Sequence, residues 1–163
     1  MKPISADELF RLAGIVPSAP VAWGDNVPCE QPGVYVIDLD DIDAVRFMDL
    51  SPQQEHARLR WESDRLRWQN DQSIVYIGRT HRKSGLKRRL SAFRNQVYGK
   101  RRPHSGGQAI LLLDCTKTIH WAAVEDDEDA EIKLALAFWQ KAKRLPFGNK
   151  VFPGGAKASG VVT

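Results

Sequence analysis

Two tyrosines open the chemical reading of this chain. Tyr35 sits in Gly33-Val34-Tyr35-Val36-Ile37 and Tyr76 in Val75-Tyr76-Ile77-Gly78-Arg79-Thr80, two short β-branched and aromatic runs bounded by Gly or Pro. A strand alternates faces, so Tyr35 is expected opposite Val34 and Val36, and Tyr76 opposite Val75 and Ile77. If the strands pair, both phenols share one face. Cations follow at once: residues 79–103 hold ten Lys or Arg and no acid. Phenols beside a cluster of cations suit the handling of phosphate or of a water proton.

The elements that must position these groups are legible from pattern. Ser5-Ala6-Asp7-Glu8 has capping-box spacing and predicts a helix over residues 6–13. Pro17, Pro20, Gly24, Pro28 and Pro32 mark an irregular approach to the first strand. Residues 53–69 lack Gly and Pro and set Leu59 with Leu66, and Trp61 with Trp68, which predicts a helix with an apolar side and exposed arginines. The second strand is expected over residues 73–79. Leu86, Leu90, Phe93 and Val97 predict an amphipathic helix over residues 86–97 with a basic outer face. The apolar run at 109–114 reads as a buried third strand, and 119–124 as a fourth. Acids crowd the start of 125–143 and Lys141, Lys143 and Arg144 its end, as the macrodipole of a helix favours, and Pro146 stops it.

The whole is therefore expected to be one α+β domain over residues 1–163. It comprises an N-terminal helix and lead-in (1–32), a core (33–150) with a helical insertion (51–70) between the first two strands, and a loose tail (151–163). No charged leader followed by an apolar run opens the chain, and no apolar run approaches membrane-spanning length, so a soluble cytoplasmic protein is expected. Cys29 and Cys115 have no partner spacing for a disulfide framework or a zinc site, and His81, His104 and His120 have no metal-like spacing. The net charge is +4, but its distribution is uneven: residues 114–131 carry Asp114, Glu125, Asp126, Asp127, Glu128, Asp129 and Glu131 against Lys117 alone. The basic segment attracts polyanions.

In order along the chain, Gly33-Val34-Tyr35, Tyr76-Ile77-Gly78, Leu86-Lys87-Arg88-Arg89-Leu90, Glu131 at a helix start and Asn149 after Leu145-Pro146-Phe147 resemble the signature of the GIY-YIG nuclease superfamily. The resemblance spans residues 33–150. It implies a small antiparallel sheet of three to four strands flanked by helices, and Mg²⁺- or Mn²⁺-dependent endonuclease cleavage of DNA, with RNA left open. It also implies Tyr35 as general base and Tyr76 as its assistant on the water, Arg89 as phosphate clamp, and Glu131 as metal ligand, with Arg79 and Asn149 beside them. Arg88 rivals Arg89. For the phenols to lose a proton near neutral pH, Arg89, Arg79 and the metal must lower their pKa from about 10. Arg82, Lys83, Lys87, Arg88, Arg94, Lys100, Arg101, Arg102 and His104 are the expected nucleic-acid contacts, and a protein partner could add specificity. The chain departs from the family in three ways: a long stretch separates the tyrosines, Phe93 stands where many members carry His or Tyr, and three extra residues separate Tyr76 from Arg89. A non-catalytic nucleic-acid-binding module is the alternative, and a protein-interaction domain meeting an acidic partner is a third class.

Overall fold

A computed structural model describes residues 2–81, 84–100 and 107–154. Its centre is a four-stranded antiparallel sheet in the order β1-β6-β2-β4, formed by β1 (Val21–Ala22), β2 (Gly33–Leu39), β4 (Ile74–Arg79) and β6 (Lys117–Ala123). The coarse α+β expectation is met. Helices α1 (Ala6–Ala13) and α4 (Asp127–Ala142) cover one face, and α3 (Leu86–Arg94) covers the other. Ser5 caps α1, its hydroxyl accepting from the Glu8 amide at 3.1 Å, as the capping-box spacing predicts. Asp126 caps α4 in the same way, accepting from the Asp129 amide.

Alternation in β2 sorts the core into two halves. Val34 and Val36, with Ile77, pack against Leu9, Phe10, Leu134 and Phe138 of α1 and α4. Tyr35 and Ile37, with Tyr76, face Leu86, Leu90 and Phe93 of α3. Val75 joins the tyrosine side rather than opposing Tyr76, because the pairing of β2 with β4 shifts between Ile37 and Asp38 and leaves Val75 in a bulge.

Tyr35 pairs with Gly78 across the β2–β4 ladder and its ring lies over that glycine. A Cβ at Gly78 would sit 2.5 Å from Tyr35 Cζ. Since Tyr35 is fully buried, its ring has nowhere to go. Gly78→Ala is thus expected to destabilise the fold by about 1–3 kcal/mol through overpacking. A urea unfolding curve with an unchanged midpoint would show that the ring can move.

Three sequence expectations need correction. Residues 109–114 are not a strand of the main sheet. Gln108–Leu112 forms a 3₁₀ turn, and only β5 (Leu113–Asp114) is extended, pairing with β3 (Arg46–Phe47) in a separate two-stranded sheet. Ala109, Ile110, Leu112 and Leu113 are all buried, and a continuous apolar run fits any fully enclosed backbone. Second, the segment expected as a helix over 53–69 begins as 3₁₀ (Pro52–Ala57) and becomes α2 only at Arg58–Arg67. The apolar side is also different: Leu59 and Leu66 are 83% and 86% exposed, while Trp61 and Asp64 are buried against Tyr98 and Leu112. Third, α3 stops at Arg94, three residues before the expected Val97, which stays half-exposed.

Among the described residues no helix is long and apolar enough to cross a membrane. Cys29 and Cys115 are free thiols.

Candidate active site

The site is built at the outer edge of β4, where the sheet ends and α4 begins. Alternation sends Tyr76 to the α3 side of the strand and Arg79 to the α4 side. Arg79 reaches two carboxylates one helical turn apart on α4: its Nη1 lies 3.5 Å from Asp127 Oδ1 and its Nε 3.4 Å from Glu131 Oε1. Asp127 is fixed in turn by the Thr80 hydroxyl, which donates to Oδ2 at 2.8 Å while accepting from the Gly33 amide at 3.1 Å. Glu131 is therefore held by a chain that starts at the first strand. Arg79, expected among the catalytic groups, is the hinge of that chain.

Glu131 opens on a cleft of about 470 Å³ that it shares with Tyr76, Arg60, His81, Asn149 and Lys150. Burial drives its carboxyl up to about 7, against the pull of Arg79 and Arg89 and with a further push from Asp127. A carboxyl with that titration is short of positive charge. Added cationic charge beside it would favour the ionised form.

The phenols and Arg89 form the inner wall. The Tyr35 and Tyr76 rings lie 6.1 Å apart between centroids, and Tyr76 stacks on Phe93 at 5.1 Å. Phe93 thus supplies an apolar wall beside the two phenols. Burial raises the pKa of both phenols, and for each of them the positive charge of Arg89 only opposes the rise. Arg89 by itself does not bring these values down: for groups this enclosed, desolvation outweighs a single guanidinium. The Tyr35 hydroxyl is buried with no partner at full hydrogen-bonding geometry among the described residues. Arg89 is 6% exposed and faces this wall, whereas Arg88 is exposed on the outer side of α3, so Arg89 is the arginine that joins the cluster.

Comparison with known proteins finds no match: no family model, no curated protein and no solved structure aligns with the chain.

The remaining predicted residues divide. Asn149 reaches the cleft, but its amide is spent on the strand edge: Oδ1 accepts from the Ile77 amide and Nδ2 donates to the Ile77 carbonyl, each at 2.9 Å. It acts as one more residue of β-ladder and holds the 146–150 loop against Tyr76. Lys87 and Lys100, like Arg88, are exposed and available to a polyanion. Arg94 is partly buried. Its guanidinium donates to the carbonyls of Trp23 and Asp25 and to Asn26 Oδ1, tying the lead-in to α3. Arg82, Lys83, Arg101, Arg102 and His104 lie outside the described residues.

His81, Arg60 and Lys150 line the cleft without having been singled out for it. His81, two residues past the end of β4, takes a left-handed backbone, φ 56°, and lines the cleft. Nothing in the residue pattern announces that turn. Arg60 and Lys150 are brought in by α2 and the 146–150 loop, both reaching the buried carboxylate of Asp64.

Among the described residues no cluster of three or more His, Cys, Asp or Glu could hold a metal ion. Mg²⁺ does not need such a cluster, since it commonly binds through one or two carboxylates and keeps its waters. The donor set around Glu131, one enclosed carboxylate open to a cleft with Asp127 one turn away, fits a hard cation of that kind.

Proposed function

We propose that the protein is a Mg²⁺-dependent endonuclease of the GIY-YIG type acting on DNA. The observation that carries this reading is the meeting of four groups from four separate elements, Tyr35 of β2, Tyr76 of β4, Arg89 of α3 and Glu131 of α4: the two phenol rings lie 6.1 Å apart, Tyr76 and Glu131 line one cleft, and Arg89 and Glu131 both act on the titration of each phenol. Cleaving a phosphodiester calls for a proton acceptor for the attacking water, positive charge for the crowded phosphate, and help for the departing oxygen. The four side chains match those tasks.

Arg89 is fixed by burial, and its planar fork suits two oxygens of one phosphate. Tyr76 faces the cleft and orients the water. Tyr35 lies behind it; burial raises its pKa, but Arg89 opposes that rise more directly than it does for Tyr76, and Tyr35 is the phenol assigned as proton acceptor. The two phenols oppose each other's ionisation, so the pair carries at most one negative charge. Glu131, with Asp127 beside it, would hold Mg²⁺, which when bound supplies charge that stabilises the phosphate and favours an ionised phenol. Arg79 and Asn149 position Glu131 and the cleft loop. Exposed Lys87, Arg88 and Lys100 contribute the unspecific attraction to a polyanion.

Supercoiled plasmid tests the reading. Purified protein with Mg²⁺ or Mn²⁺ is expected to convert it to nicked or linear product, and chelator is expected to stop the conversion. Retention of the plasmid at low salt with no conversion under any divalent metal would replace the enzyme with the binding module.

A further inference from the structure

Asp64 of α2 is completely buried and draws in four donors. The Tyr98 hydroxyl donates to Oδ2 at 2.6 Å, and Arg67 Nη2 and Lys150 Nζ reach Oδ1 at 2.9 and 3.1 Å. Arg60 Nε lies 3.8 Å from Oδ2. Three cations stand around this one carboxylate. They are held in place, because Arg60 also donates to Gln108 Oε1 at 3.2 Å and lies over the Tyr98 ring, while Arg67 donates to the Phe147 carbonyl at 3.0 Å.

These cations converge where the candidate active site borders a second hollow. Arg60 and Lys150 line the cleft of Tyr76 and Glu131. Lys150 and Arg67 line a second hollow of about 390 Å³, which meets the first at Asn149 and Lys150. Its walls include Trp68 and Trp139, together with Lys143 and Arg144, and no acid is among its lining residues. Arg144 is paired with Asp71.

We propose that this second hollow is a subsite for single-stranded nucleic acid flanking the phosphate that is cut. Arg60, Lys150 and Arg67 track successive phosphates, and the tryptophan-walled hollow receives an unpaired base. Rigid cations following a backbone, with aromatic rings beside them, are the recognition mode of single strands. A blunt duplex keeps its base faces stacked inside and offers such a hollow only phosphates. The inference rests on the nuclease reading for the position of the scissile bond, but not for binding itself.

Fluorescence anisotropy with the full chain in chelator, where no cleavage intervenes, tests it on three probes: a blunt duplex, the same duplex with a single-stranded extension, and a nucleoside monophosphate. The extended duplex is expected to bind about tenfold tighter than the blunt one, the range that one stacked base contributes. Lys143→Asn removes charge from the hollow with a residue that tolerates the φ of 59° found there, and Trp139→Leu removes one aromatic wall. Each is expected to shrink the preference several-fold. Equal binding of the two duplexes, or a preference untouched by both variants, overturns the subsite, and a monophosphate that binds as tightly as the extended duplex replaces the strand with a free nucleotide. Plasmid nicking that persists without any preference removes the subsite alone. A preference that persists without nicking keeps the subsite and removes the nuclease.

Discussion

Glu131→Gln should abolish Mg²⁺-dependent cleavage and, at pH 8, leave the protein more stable than the wild type. Both effects come from one carboxyl. In an unfolded chain it titrates near 4.5, but in the fold burial lifts it to about 7. Between those values the folded state keeps a proton that the unfolded chain has released, so stability falls as pH rises from about 4.5 through 7. Above that window the full penalty of an enclosed charge remains, on the order of 3 kcal/mol at about 1.4 kcal/mol per pH unit. Gln keeps the shape and never ionises. The stability difference between variant and wild type, followed by thermal or urea unfolding at pH 5 and pH 8, should therefore be small at the lower pH and favour Gln at the higher. Mg²⁺ should raise the melting temperature of the wild type at pH 8 by mass action and leave Glu131→Gln unmoved. Equal responses to Mg²⁺ in the two proteins, or retained cleavage in the variant, would remove Glu131 from the metal site.

The strands that carry the phenols were legible because β-branched residues crowd beside a Gly at both, and α4 because its acids and lysines lie at the ends that its dipole favours. Tyr35, Tyr76, Arg89 and Glu131 were named through the resemblance to a family signature, which residue type alone would not have supplied. Their separation along the chain is large, but each sits at a fixed phase of an element whose inner face is apolar. The choice of Arg89 over Arg88 also follows from phase, since Arg89 lies beside Leu86 and Leu90.

What was illegible depends on contacts between distant residues. Leu59 with Leu66 and Trp61 with Trp68 have the same seven-residue spacing, so α2 offers two rival faces. Asp64 decides between them, because Tyr98 and Lys150 neutralise it only once the chain is folded. A buried aspartate reads in sequence as a solvated one. The same carboxylate brings Arg60 and Lys150 to the cleft, which is why neither announced itself. The rise in the phenol pKa values was illegible for a related reason: the arginines are visible in sequence, whereas the degree of enclosure that opposes them is not.

Tyr35→Phe is expected to slow cleavage by ~10²–10⁴-fold, the range a general base contributes. The same substitution should cost no stability and could add about 1 kcal/mol, because it deletes a buried hydroxyl that lacks a full hydrogen-bond partner. Arg89 keeps its place in either case, held by the α3 side of the core. Rate and stability thus move in opposite directions, and that pairing separates chemistry from packing. A tyrosine present only to fill space would lose its hydroxyl with the same gain in stability and no change in rate. A variant that unfolds would lose both together. The pH–rate profile adds a third readout, since a phenol acting as base gives a rate that climbs with pH until it ionises, and Phe should flatten that climb. Tyr76→Phe is the matched control: its ring lines the cleft and stacks on Phe93, so loss of its hydroxyl should weaken water positioning while leaving the dependence on Tyr35 in place. Should Tyr76→Phe remove the climb and Tyr35→Phe preserve it, the base is the phenol that faces the cleft and Tyr35 is the one that shapes the wall behind it.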